Sequence, residues 1–416
     1  MRLGPGAARQ RGGNAAADPL TRRLVSVSAL GFLAALSIWS TDPAVVAADA
    51  PVHNYRGVVP VLVYHGVDTV PRPSDPYSIT EAEFARHMAM LARDGFHAIS
   101  IAQYARFADG DTAALPDRPI LITFDDGRLD SYQGADPILR RYGMRATMFV
   151  ITAPADAARP GYLSWPQLRA MAASGRWDLQ EHAHAGHTRI PTGPGGRTGP
   201  YYANLIYRSG MRERFSAFKR RITSDILTGA RLMELQIPSF EPLAFAVPYS
   251  DYGQGRTNYA PIPAWVAGWL QRTFKVFFVQ DRRVYNPPGA RIGLRYGVRA
   301  STTAATLRDW LRQALPRSAW VSPARIRPQR PKLRRLRVRR RTVVFVLEVR
   351  DGIALQATRR RAGRRHRVRV KVSAAGRVHD RGLRPGTVYI YRAVAVDALD
   401  RRSRALRLHV RTHRRR

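Results

Sequence analysis

The 416-residue chain contains no cysteine. Disulfides and thiolate ligands are therefore excluded, and a bound metal would have to be held by imidazole and carboxylate. Acids are scarce: 30 Asp and Glu stand against 69 Lys and Arg, a formal net charge of +39. The deficit is uneven, because residues 325–416 hold 31 Lys and Arg against 5 acids, two thirds of the excess. A partner recognised by charge therefore belongs to the C-terminal part of the chain. Long apolar runs are also few. The extended one, Leu24 to Trp39, follows Arg22-Arg23 and precedes the small-residue stretch Ala44 to Ala50. That order describes a secretory signal peptide over residues 1–50, with an uncleaved membrane anchor as the competing reading. Export is expected, to a secreted or cell-surface location.

Between residues 58 and 315 apolar runs alternate with amphipathic stretches. Val58 to Tyr64 suits a buried strand, Glu81 to Arg93 places Phe84, Met88 and Leu91 on one helical face, and Arg145 to Thr152 is a further strand. Strand and helix in turn indicate βα units around a parallel sheet. Residues 188–236 interrupt the rhythm with a Gly/Pro-rich loop and a helical stretch from about 211 to 235, read as an insertion. Residues 316–335 are rich in Pro and Arg and read as a linker. From 336 to 416 the period becomes two, as in a small β-sandwich. Leu383 to Tyr389 with Arg392 to Asp397 resembles the late strands of fibronectin type III-like modules.

Three stretches carry chemistry. Pro119 to Thr123 reads as a buried strand that delivers Asp125-Asp126-Gly127 at its end, where open α/β sheets place ligands. Neighbouring residues there point in different directions, so one carboxylate can hold a metal while the other takes a proton from water. Alone, the tripeptide is equally an ordinary turn that caps the next helix. His182, His184 and His187 fall within six residues, and Phe245 to Val247 leads into Pro248-Tyr249.

Together these stretches resemble the NodB-homology polysaccharide deacetylases, metal-dependent enzymes that remove N-acetyl groups from glycans. The resemblance covers roughly residues 58–315 and implies a distorted, incomplete (β/α) barrel. Carried over to this chain, it makes Asp125 the catalytic base and Asp126 a metal ligand. The His spacing of five, His182 to His187, is similar to the branch acting on poly-β-1,6-N-acetylglucosamine, and gives His182 and His187 as the other ligands, with His184 the rival. One divalent ion is implied, zinc or else cobalt, nickel or iron. Pro248 and Tyr249 would line the groove, the Tyr249 N–H helping to hold the oxyanion. The family's Arg-x-Pro-Tyr motif appears as Ala246-Val247-Pro248-Tyr249, without the Arg that orients the base, and no Leu-x-His motif is evident near Ile292 to Arg299. In the same branch an early Tyr-His takes the general-acid role, which here gives His65 beside Tyr64.

The expected substrate is a β-linked N-acetylglucosamine polymer, poly-β-1,6-linked as first choice. Peptidoglycan or chitin-oligomer deacetylation is the alternative in the same class, and a non-catalytic glycan- or wall-binding protein the alternative outside it. The basic tail suggests an anionic cell-wall polymer or a membrane surface. It carries no nucleic-acid-reading motif and little aromatic interleaving, so specific nucleic-acid recognition is not expected.

Overall fold

The structure is a computed structural model that describes residues 56–281, 286–316, 319–320 and 326–414. The signal or anchor segment expected over residues 1–50 lies outside the described residues. Among the described residues, no helix is long and apolar enough to cross a membrane.

Seven parallel strands form the first domain: β1 (Val61–Tyr64), β2 (Pro119–Phe124), β3 (Ala146–Val150), β4 (Trp177–Glu181), β5 (Ala244–Ala246), β6 (Val276–Gln280) and β7 (Ile292–Gly297). Their order around the ring is β1-β7-β6-β5-β4-β3-β2, and β2 pairs back onto β1 through four consecutive residues, Val61 with Leu121 to Tyr64 with Phe124. The barrel is thus closed, with seven strands. Its distortion lies between β4 and β5, where a single Cα pair, Glu181 with Phe245, joins the two.

The helices follow the strands: α1 (Glu81–Arg93), α2 (Ile101–Ala108), α3 (Leu129–Tyr142), α4 (Trp165–Ala173), α5 (Phe215–Gln236), α6 (Ile262–Thr273) and α7 (Ala304–Ala314). The α1 reading holds to the residue, because Thr80 caps it by accepting from the Glu83 N–H and its apolar face is buried. After α1 only His97–Ala98 pairs as a strand, since a capping box between Ser100 and Gln103 starts α2 at Ile101. The helical stretch expected from about 211 begins at Phe215 instead. Tyr207–Arg208 and Met211–Arg212 form a hairpin turned by Ser209 and Gly210, both at positive φ. A second hairpin pairs Arg189–Pro191 with Thr198–Pro200. These two hairpins stand outside the βα alternation, whereas α5 packs on β4 as a helix of the barrel.

The second domain is a sandwich of β8 (Leu333–Val338), β9 (Val343–Leu347), β10 (Ile353–Arg361), β11 (Val368–Val370), β12 (Arg377–Asp380), β13 (Val388–Asp397) and β14 (Leu406–Arg411). A three-stranded sheet, β8-β9-β12, faces a four-stranded one, β11-β10-β13-β14. Val343, Phe345, Val378, Tyr391 and Ala393 fill the core between them. Arg176 of the barrel reaches across to Asp351 while also holding Asp136.

Candidate active site

All three chemistry-bearing stretches leave the same end of the barrel, and each makes its turn with a non-glycine residue at positive φ: Asp126 at 76°, Ala183 at 100° and Tyr249 at 56°. Such backbone is disfavoured for residues with a Cβ and gathers where geometry matters more than local stability. After β2, Asp126 and then Gly127 at φ 71° swing the chain so that the two carboxylates part. Asp125 stays inside, 1% exposed, with its N–H donating to the Tyr64 carbonyl at 3.1 Å. Asp126 turns toward the histidines.

Asp126 Oδ1 lies 3.6 Å from His182 Nε2 and 3.6 Å from His187 Nε2. One ligand atom from each of these residues falls within 4.8 Å of the others. His182 Nδ1–H donates to the Ala246 carbonyl at 2.7 Å, which leaves the Nε2 lone pair facing Asp126. Burial pushes the His182 pKa down to about 4 against the pull of Asp125, so the ring is neutral at pH 7. Asp126 Oδ1 is itself buried without a hydrogen-bond partner. A buried carboxylate oxygen left unpaired beside two convergent imidazole nitrogens suits a cation, since desolvation of that oxygen is otherwise uncompensated. The donor set therefore fits a divalent metal.

The loop from 182 to 187 is held from two sides. Asp225, on α5, accepts from the N–H groups of His184 and Ala185 at 3.2 and 2.9 Å and from the Tyr202 hydroxyl at 2.5 Å. The carbonyls of Ala183 and His184 accept from the N–H groups of Thr152 and Ala153. In this arrangement His184 turns aside, its Nδ1 3.0 Å from the Thr152 hydroxyl, and it is not part of the cluster. Tyr249 closes the other side: its ring lies 4.5 Å from that of His187 and is 43% exposed, while Pro248 is buried. His65, at the end of β1, packs against Tyr77 and has a buried Nδ1 without a hydrogen-bond partner.

Arg295 was not anticipated. It extends from β7 into the barrel, fully buried, and forks onto both oxygens of Asp125 at 2.6 and 2.7 Å. Its guanidinium sits near the faces of Phe149 and Phe278, centroids 5.4 and 5.8 Å away. Burial would raise the Asp125 pKa, but the Arg295 charge, aided by His182, holds it well below the usual carboxylate range. A cation contacting Asp125 is therefore present although position 246 is Ala; it arrives from a different strand. No local signal marks it, because Ile-Gly-Leu-Arg-Tyr-Gly is not an apolar run; once buried, the arginine requires an acid as partner.

Residues 112–260 match the family model described as "Polysaccharide deacetylase". YxkH of Bacillus subtilis (strain 168) is 33% identical over 93 residues, 22% of this chain and 32% of that protein. The poly-beta-1,6-N-acetyl-D-glucosamine N-deacetylase of Escherichia coli (strain K12) is 25% identical over 205 residues, 46% of this chain and 30% of that one. The matched regions thus span about a third of the length of these curated relatives. Among solved structures, a de-N-acetylase from Aggregatibacter actinomycetemcomitans superposes with a TM-score of 0.53 at 22% identity, covering 61% of this chain and 99% of that one, and shares the fold. With the closed barrel and the turn-borne Asp and His residues at one end of it, these matches identify the first domain of this chain as a polysaccharide deacetylase domain of the NodB type.

Proposed function

We propose that the chain is an exported, metal-dependent N-deacetylase that releases acetate from a β-linked N-acetylglucosamine polymer, with poly-β-1,6-N-acetylglucosamine as first choice. The observation that carries this reading is the convergence of Asp126 Oδ1 with His182 Nε2 and His187 Nε2 beside a second, separately held carboxylate. A binding protein has no need of that second carboxylate. The substrate assignment rests on the likeness to the Escherichia coli enzyme and on the His spacing of five.

When bound at Asp126, His182 and His187, a divalent cation supplies a more acidic water and a polarised acetyl carbonyl. The chain's own groups do the rest. Asp125, kept ionised and aimed by Arg295, accepts a proton as the water oxygen forms its bond to the acetyl carbon. The Tyr249 N–H steadies the oxyanion, and Pro248 with the Tyr249 ring walls the groove. His65 donates a proton to the nitrogen as the C–N bond breaks, leaving acetate and a free amine. Asp125→Asn tests the assignment: metal and polymer binding should persist while acetate release falls by at least about a hundredfold. Undiminished release would refute it.

The sandwich supports a second contact, with an anionic cell-wall polymer or membrane surface. Arg369, Thr358, Arg392 and Arg407 lie in one register row across all four strands of the larger sheet. Arg392 and Arg407 are directly opposite one another, and cross-strand like charges destabilise a sheet. Among the described residues none of these three arginines has an ion-pair partner, so a polyanion would relieve the repulsion.

A further inference from the structure

Beside the Asp126, His182 and His187 cluster, the two hairpins between residues 189 and 212 line an open cavity of about 880 Å³ with the segment that follows Tyr249. Tyr249 is common to both: its ring packs on His187 and also lines this cavity, so the cavity adjoins the cluster through that ring. Four arginines line it, Arg189, Arg197, Arg212 and Arg256, against a single carboxylate, Asp251. Among the described residues none of the four has a carboxylate partner. Two are tied to neutral oxygens: Arg189 donates to the Thr198 carbonyl and hydroxyl, and Arg197 to the Pro194 carbonyl. Asp251 is engaged by the Gly253 N–H at 2.8 Å. The cavity thus carries an excess of three positive charges with no internal neutralisation.

Deacetylation turns an uncharged N-acetyl sugar into a cationic ammonium sugar. We propose that this cavity is a neighbouring-sugar subsite that accepts an N-acetylated residue and rejects one already deacetylated, so that successive deacetylations fall on separated sugars of the polymer. The proposal rests on the deacetylase reading and adds to it a pattern of action. The reason is electrostatic. An ammonium brought among unpaired guanidinium groups is repelled, whereas an acetamide is not, and the repulsion acts within about a Debye length. The same field would also push the protonated amine product away from the site after each turnover.

Binding tests this separately from catalysis. The full-length Asp125→Asn protein, loaded with zinc, is titrated by calorimetry with a fully N-acetylated β-1,6-linked glucosamine oligomer and with its fully deacetylated form, at a pH where the amines are protonated. At about 50 mM salt the acetylated oligomer should bind at least about tenfold more tightly, and the gap should narrow at about 500 mM. It should narrow likewise in an Arg189→Gln, Arg212→Gln, Arg256→Gln background, where loss of charge and not of fold is verified by an unchanged thermal midpoint. Equal binding, tighter binding of the deacetylated oligomer, binding of neither, or a gap indifferent to salt and to the arginines would overturn the proposal. Acetate release by the unmodified protein reports on the deacetylase reading independently. If release occurs, the products of partial reaction should show fewer adjacent free amines than random attack gives.

Discussion

Arg295 and Asp125 form a buried ion pair at the base of the site, and removal of either partner strands the other's charge. Arg295→Met should therefore cost about 3–5 kcal/mol in a urea melt and abolish acetate release. The double variant Arg295→Met, Asp125→Asn should regain much of the stability and none of the activity, a coupling that a double-mutant cycle reads directly. A second buried residue supplies a pH response away from the cluster. His87 on α1 donates from Nε2 to the Thr302 carbonyl at 3.1 Å and accepts at Nδ1 from the Tyr64 hydroxyl at 3.2 Å. Burial lowers its pKa to about 4, below the unfolded value of 6.5. The unfolded chain then binds the extra proton first, so stability is full above pH 6.5 and declines as pH falls toward 4, by roughly 3 kcal/mol at most from this residue. Thermal midpoints across that window should fall less steeply in His87→Gln than in the unmodified protein.

At the scale of elements, the His182–His187 loop depends on α5 as much as on its own residues. Asp225 holds two of its N–H groups, and a Cβ at Gly186 would come within 2.8 Å of the Asp225 carboxylate and the Tyr202 ring. Gly186→Val should lower zinc affinity by at least about tenfold, read by competition with a chromogenic chelator, while His184→Ala should leave it within about threefold. Those two variants separate the loop's geometry from its histidine count. The barrel elements nearest this site were legible in the sequence because their signals are local. All six residues of β2 are buried, so its apolar run reads as a strand, and Thr80 announces α1. β7 was not legible. Its Ile-Gly-Leu-Arg-Tyr-Gly carries two glycines and an arginine, whose reasons are tertiary: Gly293 leaves room for the Phe278 ring, and Arg295 meets an acid 170 residues away. Strand β10 is also hard to read locally. In β10, Arg359, Arg360 and Arg361 continue an otherwise apolar-alternating strand, a pattern that charge alone would assign to a loop.

For the molecule as a whole, charge divides the labour. The barrel holds the chemistry, and residues 325–416, the sandwich with the basic segment before it, hold two thirds of the net charge together with the opposed arginines of the larger sheet. Changing Arg369, Arg392 and Arg407 to Gln should weaken retention on an immobilised polyol-phosphate polymer at low salt. The thermal midpoint should stay level or rise, and acetate release from a soluble oligomer should not change. Retention that survives the triple change would move the contact to another face of the sandwich. Metal dependence joins the geometry of Asp126, His182 and His187 to the proposed deacetylation. The most direct test is acetate release by the full-length protein, before and after chelation and again after zinc is restored. Poly-β-1,6-N-acetylglucosamine, chitin oligomers and peptidoglycan would be compared side by side. Release from the β-1,6 polymer should be lost on chelation and recovered with zinc. Release that is indifferent to the chelator, or absent from all three substrates with metal bound at Asp126, His182 and His187, would contradict the proposed metal-dependent deacetylation.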